Sequence, residues 1–200
     1  ELAKNGKVRS STRLELAAKV FSEVSKYDSL ISSYLNSKSI KAEDFMQEEI
    51  SINAHELDKL RYGENPHQKA KLYKISKPSL AAFDYNQLSG KALSFNNLVD
   101  TESAYSCVEQ FSRPSCVIVK HANPCGAACA DNLEQAYNYA YKTDPTSAFG
   151  GIIVFNKKPS SKLIKKIIEK QFVEVVAAPS FDKKILDVIK SKPNIRTVSY

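Results

Sequence analysis

Lysine and histidine stand side by side at positions 120 and 121, where the apolar run 116–119 ends and the chain continues Asn-Pro-Cys-Gly. A lysine carries a fixed positive charge at neutral pH and a histidine titrates close to it, so the pair suits charge stabilisation and proton transfer. A second reactive group is LRYGENPHQ, which sets Arg61, Tyr62 and His67 within seven residues. A guanidinium fork, a phenol and an imidazole suit a phosphate or carboxylate carried on a flat ring. By composition alone the same stretch could be a capped surface turn. Gly150 and Gly151 close the stretch DPTSAFGG, and paired glycines let a backbone approach a ligand closely. Glu174 interrupts the apolar run FVEVVAA; a charge there must sit at an edge, be paired, or meet a ligand.

Other chemistries compete for the same residues. The lysine and histidine could form a solvated rim at the end of a strand. Cys125 could be a nucleophile activated by His121, but no adjacent residue supplies the orienting third group such sites use. His121 followed by Pro124-Cys125 resembles the H-x-E and P-C-x-x-C pattern of zinc deaminases. That match fails in detail. Asn123 stands where the glutamate would be, the two halves are fused, and three residues separate Cys125 from Cys129. No metal is expected.

The elements that must position these residues can be read from periodicity. Residues 116–119 are short, apolar and β-branched, as in a strand buried on both faces. Lys120 and His121 would lie at its carboxyl end, where open α/β sheets bind ligands, with Asn-Pro-Cys-Gly as a turn. Upstream, Thr12 and Glu15 form a capping-box pattern ahead of a long amphipathic helix, whose stripe of Leu14, Val20, Phe21, Val24, Tyr27 and Tyr34 requires a partner surface. Polar residues 36–48 read as a boundary. Residues 51–53 and 70–75 read as strands and 60–68 as an irregular loop. Residues 87–97 read as a loop before a helix capped near Asp100. Further on, Asp131 and Glu134 cap a helix, 152–155 is a strand, 160–170 a helix, 173–177 a strand, 182–190 a helix and 195–199 a strand. Such alternation implies α/β architecture with parallel pairing.

Composition excludes some classes. The 200 residues hold four cysteines, too sparse for a disulfide scaffold, so the thiols are expected to be reduced and the protein cytoplasmic. No apolar run reaches membrane-spanning length. Net charge is +7, from 29 basic against 22 acidic residues, which favours anionic partners. The basic residues alternate with acids, as in KKIIEK, and form no basic tract of the kind that grips nucleic acid. The chain begins at Glu1, which suggests a fragment.

Taken together, LRYGENPHQ, LSFNN, VIVKHANPCGAA, DPTSAFGGI and FVEVVAAPSF resemble, in this order, the AICAR transformylase/IMP cyclohydrolase family. The resemblance covers residues 12–200. It implies a cytidine-deaminase-like three-layer α/β/α fold with a mixed, largely parallel sheet, preceded by a long N-terminal linker helix. Residues 1–48 would be the linker following a cyclohydrolase domain, and 49–200 the first half of the transformylase domain. The implied reaction is formyl transfer from 10-formyltetrahydrofolate, as cosubstrate, to the 5-amino group of AICAR, without metal, in a homodimer with composite sites. His121 matches the family's proton acceptor and Lys120 its transition-state cation. Arg61, Tyr62, His67, Asn123, Gly150 and Glu174 fall on or beside substrate-binding positions.

Overall fold

The apolar run that ends at Lys120 forms an inner strand of a six-stranded sheet. The computed structural model describes residues 2, 6–39, 52–75 and 85–200. Two compact units divide the chain, Glu1–His55 with Lys74–Lys77 and Glu56–Tyr73 with Pro78–Tyr200. The first contains the helix α1, Ser10–Ser39. Its apolar residues, including Leu14, Val20, Phe21 and Val24, are exposed. Strands β1 (Ala54–Lys59) and β2 (Lys71–Ile75) form a two-stranded sheet. The expected boundary at residues 48 and 49 lies outside the described residues.

The second unit holds the main sheet. Its strands are β3 (Asn86–Ser89), β4 (Ser115–Lys120), β5 (Asn123–Cys129), β6 (Gly151–Phe155), β7 (Val173–Ala178) and β8 (Arg196–Ser199), in spatial order β3-β8-β7-β6-β4-β5. Helix α2 (Phe95–Val108) covers one face. Helices α3 (Leu133–Thr143), α4 (Ser161–Lys170) and α5 (Lys183–Ile189) serve the other. The period-2 alternation of strands divides the core accordingly. Val117, Val119, Ile152, Val154, Val175 and Val198 pack with Ala104 and Val108 of α2. Cys116, Ile118, Ile153, Phe155 and Val176 pack with Tyr137, Ile164, Ile167 and Ile185. Each fully buried valine or isoleucine contributes roughly 2 kcal/mol.

An α/β architecture with a mixed sheet is therefore present, but "largely parallel" needs correction. Only β6–β7 and β7–β8 pair in parallel, while β3–β8, β4–β6 and β4–β5 are antiparallel. One cause is a missed strand. Residues 123–126 form no Asn-Pro-Cys-Gly turn but open β5, which doubles back along β4. Pro124, Gly126 and small residues hide its strand character, and Pro124 is tolerated because β5 is an edge strand. Its register shifts once, so that Cys125 bulges between the pairs Val119–Pro124 and Ile118–Gly126. The other strand of this sheet that was missed, β3, is four mostly polar residues with no alternation to read. Helix caps also move. Ser94, not Asp100, caps α2, its hydroxyl accepting from Asn97 N while Asn97 accepts from Ser94 N. Asn132, not Asp131, caps α3.

Because β4 runs antiparallel to β6, its carboxyl end lies against the amino ends of the parallel strands. Val119 pairs with Ile152, Gly151 with Val173, and Val175 with Arg196. The candidate residues thus gather at the edge opposite to the one where an all-parallel sheet binds ligands. Among the described residues no helix is long and apolar enough to cross a membrane.

Close packing of α3 on β5 gives a first prediction. A Cβ on Gly126 would lie 2.0 Å from the Ala140 carbonyl oxygen, so Gly126→Ala must push helix from strand. Denaturant unfolding is expected to show a loss of about 2 kcal/mol or more; unchanged stability would mean that this contact is looser than described.

Candidate functional site

Strands β4 and β5 join through only two residues, His121 and Ala122, with Lys120 paired to Asn123. Both loop residues have positive φ, 53° and 57°. Left-handed conformation at both positions is the signature of a type I′ hairpin turn, which normally recruits Asn-Gly. Non-glycine residues there cost about 1 kcal/mol each, so the surroundings must hold them. Two hydrogen bonds do so. The Ala122 N–H donates to Asp100 Oδ1 at 2.8 Å, and Asn123 Nδ2 donates to the His121 carbonyl at 2.8 Å. His121 is left exposed at the tip.

Lys120 reaches the backbone just ahead of β6. Its Nζ donates to the carbonyls of Gly150 at 3.1 Å and Phe149 at 3.4 Å. Gly150 has φ 71° and its N–H donates to Phe172 O at 2.8 Å. A Cβ on Gly150 would stand 3.1 Å from Lys120 Nζ, so glycine serves both the backbone conformation and the seat of the ammonium.

The loop 60–68 is irregular, as its glycine and Asn-Pro suggested, and backbone hydrogen bonds hold it in place. Arg61 N donates to Leu93 O, Phe95 N to Tyr62 O, and Gly63 N to Gln68 O. Asn96 Nδ2 reaches across to Glu64 O at 3.0 Å. The Arg61 guanidinium lies 4.5 Å from the centre of the Tyr62 ring and donates to its hydroxyl at 2.7 Å. His67 is exposed on the same loop, and no hydrogen bond among the described residues joins it to the other candidates.

Glu174, in β7, is paired. Its Oε2 accepts from Asn97 Nδ2 at 2.9 Å and lies 3.9 Å from Arg196 Nη1. Arg196 is only 5% exposed. Burial lowers its pKa and the like charge of Arg61 lowers it further, while Glu174 and Tyr62 oppose them. Arg61, Tyr62, Glu174 and Arg196 therefore share one electrostatic neighbourhood, with two guanidiniums against one carboxylate. The sequence reading passed over Arg196, although an arginine in the strand IRTVS carries the same signal that singled out Glu174. It also passed over Asp100, whose carboxylate was read as a helix cap, and Asn97, whose motif was noted without a role.

A nucleophilic role for Cys125 finds less support. Cys125 Sγ is half-buried 3.5 Å from Ile118 O, and burial pushes its thiol pKa up, the opposite of what a nucleophile needs. Among the described residues no group of three or more His, Cys, Asp or Glu could hold a metal ion.

The chain as a whole has curated relatives. Bifunctional purine biosynthesis protein PurH of Xanthomonas oryzae pv. oryzae (strain KACC10331 / KXO85) is 45% identical, over 98% of this chain and 38% of its own length. The PurH of Neisseria gonorrhoeae (strain NCCP11945) is 42% identical, over 98% of this chain and 39% of its own. The chain thus spans about two fifths of the length of these curated relatives. Among solved structures, two forms of Acinetobacter baumannii RibD align with 16% identity and TM-scores of 0.40 and 0.41, over 49% and 50% of this chain and 34% and 35% of theirs. The family model described as the AICARFT/IMPCHase bienzyme matches residues 1–200, and with that match over its whole length the chain belongs to the AICARFT/IMPCHase family.

Proposed function

We propose that this chain contributes one half of a formyl-transfer site in purine biosynthesis, taking the formyl group of 10-formyltetrahydrofolate to the 5-amino group of AICAR. The observation that carries this reading is the left-handed turn that presents His121 directly beyond a Lys120 ammonium seated on the Gly150 carbonyl. The AICAR amine is a weak nucleophile because its lone pair is delocalised into the imidazole and carboxamide. His121 takes a proton from that nitrogen as it bonds to the formyl carbon. Lys120 faces the oxygen that gains negative charge and stabilises it. The bond from the formyl carbon to the folate nitrogen then breaks, and a proton on that nitrogen completes tetrahydrofolate and the formylated amine.

The remaining roles are those that the family resemblance implies. Arg61 and Tyr62 bind AICAR, His67 on the same loop and Asn123 on the hairpin belong to the same substrate-binding set, Gly150 offers its backbone, and Glu174 is the acidic contact. The same reading takes residues 1–48 as a linker and 49–200 as the first half of the transformylase domain, in a cytoplasmic homodimer whose cyclohydrolase closes the product to IMP. A cytidine-deaminase-like fold for this half is supported by the antiparallel hairpin β4–β5 alongside the parallel run β6-β7-β8.

In the complete bienzyme His121→Ala is expected to lower kcat by about two to four orders of magnitude with little change in AICAR affinity. Lys120→Ala should also act on kcat, and Lys120→Arg should recover part of the rate if charge is what matters. Near-normal turnover of the His121 variant, with a greatly raised KM, would make His121 a binding residue. Gly150→Ala should lower kcat about tenfold or more, since its methyl group would crowd the Lys120 ammonium; turnover equal to the parent would remove Lys120 from that seat. Arg61→Ala is expected to weaken AICAR more than folate, and titration of each ligand separately would reveal the reverse.

A further inference from the structure

One motif remains without a function in this reading: the LSFNN stretch and the residues just after it. The structure puts three of its side chains to use on three different parts of the candidate site. Asn96 Nδ2 donates to Glu64 O at 3.0 Å and so ties down the loop that carries Arg61 and Tyr62. Asn97 Nδ2 donates to Glu174 Oε2 at 2.9 Å. Asp100 Oδ1 accepts from Ala122 N at 2.8 Å, at the tip of the hairpin that carries His121. All three lie within the first two turns of α2, whose own start is fixed by the reciprocal bonds between Ser94 and Asn97.

We infer that the first two turns of α2 act as the positioning brace of the site, with Asp100 the residue that holds the His121 turn in its left-handed form. The argument for Asp100 is physical. A type I′ turn without glycine or asparagine is intrinsically unfavourable, and a hairpin tip without side-chain support is free to relax to a looser form. The Ala122 N–H points out of the β4–β5 ladder, and among the described residues Asp100 supplies its hydrogen-bond acceptor. A charged acceptor makes that bond stronger than a neutral one. Asn97 spends both halves of its amide, the oxygen on the helix start and the nitrogen on Glu174, and this couples the orientation of the acid to the start of the helix. None of the three needs to touch substrate. Each acts through another group.

This inference rests on the formyl-transfer reading, and the test separates the two. In the complete bienzyme, Asp100→Ala removes the acceptor but replaces an aspartate inside a helix by the best helix former, so thermal stability should hold. The expected result is a fall in kcat of about 10- to 100-fold, the scale of a misplaced catalytic group, with AICAR KM within about threefold. Asp100→Asn keeps an acceptor of the same reach and should restore kcat to within about threefold of the parent. Asn97→Asp keeps the oxygen that serves the helix start but turns the donor to Glu174 into a second carboxylate. It should raise AICAR KM about tenfold while changing kcat little. If His121→Ala abolishes turnover but Asp100→Ala turns over like the parent, the brace is wrong and the formyl-transfer reading stands. If Asp100→Asn is as slow as Asp100→Ala, a hydrogen bond to Ala122 is not what Asp100 contributes, and the inference fails on that result too. If His121→Ala itself is fully active, the formyl-transfer reading falls first.

Discussion

The candidate site depends on the backbone turning left-handed at His121 and Ala122. On an extended strand, consecutive side chains point to opposite faces, and Lys120 and His121 could not then serve one ligand. The two positive φ angles break that alternation within a single peptide step. They leave Lys120 pointing along the sheet to Gly150 and His121 free at the tip. Strain of this kind persists where surrounding contacts over-determine it, and here the Asp100 carboxylate and the Asn123 amide hold the turn from either side.

A second constraint is the direction of β4. Had it run parallel to β6, its carboxyl end would have faced the carboxyl ends of β6 and β7, far from Glu174 and Arg196 near the starts of β7 and β8. The antiparallel pairing with β6 draws the end of one strand and the beginnings of three others to the same edge. The N-terminus of α2 and the loop 60–68 complete that edge, joined to each other by the backbone bonds Arg61 to Leu93 and Phe95 to Tyr62. Strand polarity thus does the work that spacing along the chain cannot.

Much of this was legible in residue order and much was not. The buried strand ending at Lys120, the helices over 161–170 and 183–189, and the loop character of 60–68 follow from periodicity, apolar runs and the positions of glycine and proline. Local signals failed where the determinant was not local. Residues 123–129 are strand because β4 offers them a ladder, and nothing in Asn-Pro-Cys-Gly announces it. The roles of Asn97, Asp100 and Arg196 depend on partners 77, 22 and 22 positions away, namely Glu174, Ala122 and again Glu174. The exposed stripe of α1 shows the converse: periodicity identified the helix but could not say what surface it meets.

The bulge and proline in β5 also bear on how this sheet meets other chains. An open edge is a template for a further strand, and such edges are where folded proteins fuse into cross-β aggregates. Pro124 lacks the donor that an incoming strand would need, and the extra residue at Cys125 throws the hydrogen-bonding groups out of step. At the opposite edge, β3 offers only four residues. Among the described residues both edges of the sheet are thus poor templates for a further strand, and the hairpin that carries His121 can stay open to small molecules while disfavouring lateral polymerisation.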